Sequence, residues 1–194
     1  MKKFQTGYGL GKRSIFLTGF MGTGKSTVGK ILAEKIKLPF YDTDAIVTSE
    51  LKISIGEIFK SQGEDIFREY ERAVLDDLLA YSTPGVIALG GGALVDDSIR
   101  HRVRESGILI AFFAEPYQII DRLNQSQIES LLIMSGKSVE LAQDREIVLR
   151  AISELIQKRQ IIYDDYDFSI STGERQISDI IDEIIKKMEF LLAY

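Results

Sequence analysis

The chain reads as an α/β domain, a five-stranded parallel sheet with helices on both faces. Three observations carry this. Five short apolar runs alternate with segments of helical periodicity. Two of the runs, Val86-Ile87-Ala88-Leu89 and Ile108-Leu109-Ile110-Ala111-Phe112-Phe113, are apolar at every position, so both of their faces must be covered. The first run feeds a glycine-rich loop that opens a helix, Gly19-Phe20-Met21-Gly22-Thr23-Gly24-Lys25-Ser26.

The elements follow in order. Ser14-Ile15-Phe16-Leu17-Thr18 is a short buried strand, and Val28, Ile31, Leu32 and Ile36 then recur at helical spacing, which predicts a helix over 25–36. A strand at 39–41 precedes helices over 44–50, 54–61 and 64–80. After the strand at 86–89, Asp96-Asp97-Ser98 offers caps for a helix over 96–105. The strand at 108–113 leads to Glu115-Pro116, where a first-turn proline opens a helix over 116–124. A helix over 144–160, a strand at 167–170 and a helix over 176–192 complete the pattern. The last helix carries an apolar stripe (Ile177, Ile180, Ile181, Ile184, Ile185, Met188) that reads as core. The segment 124–144 is polar, weakly periodic and contains Ser135-Gly136-Lys137-Ser138, so it reads as a lid rather than as part of the layered core.

A length of 194 residues fits one domain, and 45% hydrophobic content is enough for its core. Residues 1–12, with Gly7-Tyr8-Gly9-Leu10-Gly11, read as a mobile lead, with no strand before them and no helix after. No apolar stretch approaches the roughly 18 residues of a membrane span, and no signal peptide is expected. The absence of cysteine excludes disulfides, thiolate metal sites and Cys nucleophiles and fits a cytoplasmic protein. A net charge of −5 argues against a nucleic-acid partner. The one histidine, His101, sits in a charged run on an exposed helix. The chemistry therefore rests on Asp, Glu, Lys, Arg, Ser and a metal.

The glycine-rich loop matches G-x-x-x-x-G-K-S/T, the phosphate-binding loop of nucleotide-using enzymes. Its glycines let backbone N–H groups converge on phosphate oxygens, and the helix that starts there points its positive end at the anion. Gly22, Thr23, Gly24, Lys25, Ser26 and Thr27 are the expected ATP-binding residues, with Lys25 reaching the β/γ-phosphates and the Ser26 hydroxyl on Mg²⁺. Ligands in such folds bind beyond the C-terminal ends of the strands. There Tyr41-Asp42-Thr43-Asp44 ends a short strand. Asp42 is the best available Mg²⁺ partner, through water. Asp44 suits the acceptor of an attacking hydroxyl's proton. A turn with a helix cap would use the same two residues. Gly90-Gly91-Gly92 brings bare backbone close either to a ligand or simply into a tight turn.

Taken together, Gly19–Thr27, Asp42-x-Asp44, Ile55-Gly56-Glu57-Ile58-Phe59 with Gly63-Glu64, Phe67-Arg68-x-x-Glu71 and Gly90–Gly92 resemble the shikimate kinases, in order and at comparable spacing, over about 14–172. The resemblance implies a nucleoside-monophosphate-kinase-like fold with strand order 2-3-1-4-5 and a mobile lid. It implies transfer of the ATP γ-phosphoryl to the 3-hydroxyl of shikimate, with Mg²⁺, in aromatic amino-acid synthesis. By position, Lys25 and Asp44 are catalytic, Ser26 and Asp42 serve the metal, and Arg122 stacks on adenine. Asp44, Arg68, Gly90, Gly91, Gly92 and Arg159 meet shikimate, with the two arginines clamping its carboxylate. Arg159 rests on Arg159-Gln160-Ile161-Ile162-Tyr163, similar to the family's Arg-x-Pro-Leu-Tyr. Glu71, three residues on, could hold the Arg68 side chain. A monomer is expected.

One position departs from the family. Its lid carries Arg-Pro-Leu-Leu, whereas this chain has Glu129-Ser130-Leu131-Leu132, an acid where a cation reaches over the transferring phosphoryl group. Lys137 and Arg145 are candidate substitutes. The alternatives to a working shikimate kinase are a catalytically weak nucleotide-binding module and a kinase for another small polyol acid.

Overall fold

A computed structural model describes residues 10–80, 83–160 and 164–193. Its sheet contains β1 (Ser14–Gly19), β2 (Phe40–Asp42), β3 (Val86–Ala88), β4 (Gly107–Phe113) and β5 (Phe168–Ser171). All pairings are parallel, in the order β2-β3-β1-β4-β5, as the resemblance implies. The apolar strands are apolar at every position because consecutive residues enter different layers. Ile15 and Leu17 of β1 pack with Ile108, Ile110 and Phe112 of β4 on one face. Phe16 and Leu109 point into the other.

The first layer is closed by α1 (Lys25–Ile36) and α9 (Ile177–Leu192), whose Ile180, Ile181, Ile184 and Met188 are buried there. Of the stripe read as core, Ile185 is partly buried against this cluster and Ile177 is exposed. Leu10 is buried in the same cluster, so the end of the lead is packed; its first nine residues lie outside the described ones. The second layer holds α2 (Thr43–Leu51), α3 (Ile55–Ser61), α4 (Glu64–Ala80) and α5 (Asp97–Ser106). His101, on α5, is exposed and pairs with Glu105 at 3.2 Å.

Beyond the sheet's C-terminal edge lie α6 (Pro116–Ile120), α7 (Gln125–Met134) and α8 (Arg145–Lys158), around a third apolar cluster. Phe20 of the phosphate loop is buried in it. The segment 124–144 is thus more ordered than its polarity suggests: α7, then a short 3₁₀ turn at Val139–Gln143. A reciprocal cap starts α7, with Asn124 accepting from the Gln127 N–H and Gln127 accepting from the Asn124 N–H. Leu131 and Leu132 then anchor it in the third cluster.

Phe16 is fully buried at the centre of the sheet. Phe16→Ala is expected to cost about 3–5 kcal/mol, read as a lower urea midpoint with an unchanged slope.

Candidate active site

β1 delivers the phosphate loop to the sheet's C-terminal edge. Gly24, at φ 91°, is the residue before α1, and this left-handed turn lets the first α1 residues face a cavity of about 370 Å³. Gly22, Gly24, Lys25, Ser26 and Thr27 line it, and Lys25 is buried. The Lys25 Nζ donates to the carbonyl oxygens of Gly19 (2.8 Å) and Phe20 (3.1 Å). Burial pulls the ammonium's pKa down, opposed by Asp44 and Asp42. The Thr23 hydroxyl is spent on the loop itself: it donates to the Phe20 carbonyl at 2.7 Å, while the Thr172 hydroxyl donates to the Thr23 carbonyl at 2.7 Å. Arg122 lines the same cavity and bonds the carbonyls of Gly22 (3.3 Å), Thr172 (2.9 Å) and Gly173 (2.7 Å).

The cap reading of Asp42 holds. Its Oδ1 accepts from the Ala45 N–H at 3.1 Å and caps α2, while its Oδ2 accepts from the Ser26 hydroxyl at 2.5 Å. In the first turn of α2, Asp44 faces a larger cleft of about 780 Å³. The cleft also holds Arg68 from α4 and Arg159 from the end of α8. Arg68 is held by two acids, Glu64 (2.8 Å) and Glu71 (2.7 Å). The sequence reading found Glu71 by its spacing and missed Glu64, whose i,i+4 spacing carried the same signal. Arg159 is buried and donates to the Gly91 carbonyl at 3.3 Å. Residues 161–163, part of the motif that pointed to Arg159, lie outside the described residues.

The three glycines leave room rather than supply an unusual turn, since none of them has a positive φ. A Cβ on Gly90 would collide with Glu71 Oε1 and Asp44 Oδ1, and one on Gly92 with the Arg68 guanidinium. What packs on this bare backbone is the site's own side chains. The Gly90 N–H donates to the Thr43 hydroxyl at 2.9 Å, a contact the sequence did not announce. Burial, and then the Glu71 carboxylate, push the Asp44 carboxyl up to about 7. Burial raises Glu71 as well, against the pull of Arg68.

The departure at Glu129 has a local explanation. Its carboxylate pairs with Lys60 of α3 at 3.1 Å and accepts from Gln125 at 3.2 Å, and it lines neither cavity. The Lys60 contact holds its pKa low. The candidate substitutes are engaged elsewhere: Lys137 with Glu154, and Arg145 with Asp121 at 2.8 Å. Neither lines the cleft or the cavity at the phosphate loop.

A family model described as shikimate kinase matches residues 21–189. The shikimate kinase of Geobacter sulfurreducens is 37% identical over 172 residues, 89% of this chain and 88% of that protein. That of Thermodesulfovibrio yellowstonii is 35% identical, covering 92% and 96%. The solved structure of the Acinetobacter baumannii shikimate kinase in complex with shikimate superposes with a TM-score of 0.76 at 25% identity, covering 93% of each chain.

A carboxyl raised on folding contributes stability that is complete below its unfolded value and is lost as pH climbs through its folded one. For Asp44 that window runs from 3.8 to about 7. Asp44→Asn is therefore expected to melt higher than the parent at pH 8, with the gap closing toward pH 4. Melting curves across that range test it; a gap independent of pH would refute it.

Proposed function

The chain belongs to the shikimate kinase family, and on that premise we propose that it transfers the γ-phosphoryl group of ATP to the 3-hydroxyl of shikimate. The observation that carries this is a shared wall. Lys25 and Asp44 line both the nucleotide cavity and the larger cleft, so a phosphate held by the loop and a hydroxyl held in the cleft meet between them.

Arg68 and Arg159 supply two guanidinium groups to one cleft, a planar donor set suited to a carboxylate. Glu64 and Glu71 hold Arg68 in place before a ligand arrives. Asp44 accepts the proton of the attacking hydroxyl. With a value near 7 it is ionised in a large fraction of molecules at neutral pH and is basic enough to take that proton. Lys25 offsets charge on the phosphates, and Arg122 borders the nucleotide beside the loop. Ser26 and Asp42 fit Mg²⁺: their oxygens are 2.5 Å apart at the cavity wall, and this ion takes few protein ligands, keeping waters and phosphate oxygens. Bound there, it would neutralise phosphate charge. No group of three acidic or imidazole side chains suited to a metal exists among the described residues, in keeping with so lightly ligated an ion. A chain without cysteine supports a cytoplasmic enzyme. No helix among the described residues is long and apolar enough to cross a membrane.

Coupled ADP release should require both Mg-ATP and shikimate and vanish in Lys25→Ala. Arg68→Lys, which loses the planar fork, should raise KM for shikimate about tenfold with a smaller change in kcat. ADP release that ignores shikimate, or that gluconate supports equally, would sink the assignment. The segment 124–144 acts as the lid, so an ATP analogue should slow its cleavage by protease. Equal cleavage with and without the analogue would count against a moving lid.

A further inference from the structure

Six residues line both the nucleotide cavity and the larger cleft: Met21, Lys25, Ser26, Asp42, Asp44 and Gln127. Five come from the phosphate loop and the Asp42–Asp44 turn. The sixth, Gln127, is the one contribution from α7, and Glu129, Lys137 and Arg145 all turn elsewhere. Its amide is already oriented. Oε1 accepts from the Asn124 N–H at 3.0 Å in the cap of α7, which leaves the Nε2 hydrogens as its donors.

We propose that Gln127 is a further catalytic residue, whose side-chain N–H binds the transferring phosphoryl group in the role that the family's lid arginine would fill. This rests on the kinase reading above. The bond from phosphorus to the β,γ-bridging oxygen of ATP breaks, a bond from phosphorus to the acceptor oxygen forms, and the acceptor's proton passes to Asp44. Negative charge on the equatorial phosphoryl oxygens is met by Lys25 on the loop side and by the Gln127 amide on the lid side. A neutral donor suffices geometrically because α7 brings it to the wall that the two cavities share. The i, i+2 spacing from Gln127 to Glu129 turns the acid to another face of the helix, toward Lys60.

The capping role and the catalytic role of Gln127 separate in Gln127→Glu. Glutamate at this position still closes the reciprocal cap, but it replaces the N–H donor with a negative charge. The proposal expects Gln127→Glu to keep its melting temperature and lose kcat by about 10²-fold, the loss typical of one preorganised donor to a developing anion. It expects Gln127→Arg to retain or raise kcat and Glu129→Gln to stay within about twofold. Binding of a non-hydrolysable ATP analogue should weaken in Gln127→Glu while binding of ADP does not. This second readout needs no acceptor, so it judges Gln127 even if the parent enzyme proves inactive on shikimate, an outcome that would fault the substrate assignment instead. Full turnover in Gln127→Glu, or equal weakening of analogue and ADP, would overturn the proposal.

Discussion

Two carboxylates meet over the bare backbone of Gly90, and much of the site is arranged around that encounter. Asp44 and Glu71 are pushed together in a buried setting where neither would ionise readily alone. Arg68 bonds Glu71 directly, and Lys25 and Arg159 add positive charge nearby. Each of these cations also has a place in the ligand recognition proposed above. On that reading, one charge cluster both holds the site together and equips it for an anionic substrate and an anionic nucleotide. Removing one of the cations would leave a buried carboxylate without its balance, so such a change is expected to act on folding and on turnover together.

The sheet explains why these groups can be brought so close. Parallel strands buried on both faces end at one edge, and the residues that follow β1, β2 and β3 are the phosphate loop, the Asp42–Asp44 turn and the triple glycine. Because β3 lies between β1 and β2, Gly90 is presented directly beside both. The chemistry is local in space and distant in sequence. The rigidity that holds it comes from Phe16, Leu109 and their neighbours rather than from the loops themselves.

Much of this was legible in the chain. The strands and most helices followed from periodicity, and the phosphate loop, Asp pair, Arg68 and triple glycine were each carried by a short motif. What was not legible depends on partners chosen in three dimensions. The α7 helix escaped notice because its apolar residues are bunched in its second half, although Asn124 and Gln127 had the spacing of a cap. Glu129 looked like a charge reversal beside a phosphate until Lys60, 69 residues away, proved to be its neighbour. Thr23 belonged to the right motif, but its hydroxyl serves the loop's own fold. The three glycines do make a close approach, with Asp44 and Glu71 against Gly90, Arg159 near Gly91 and Arg68 against Gly92.

The burial of Phe20 links two parts of the molecule that a motif-by-motif description keeps apart. This side chain belongs to the phosphate loop yet lies in the apolar cluster of α6, α7 and α8, packed with Ile119, Leu131 and Ile152. Close packing transmits displacement, so a shift of the phosphate loop would also move a ring inside the cluster of α6, α7 and α8. Linkage would make that exchange two-way: whatever firms the cluster also holds the loop. Phe20, with Met21 packed beside it, makes the phosphate loop and the helical cluster one mechanical unit.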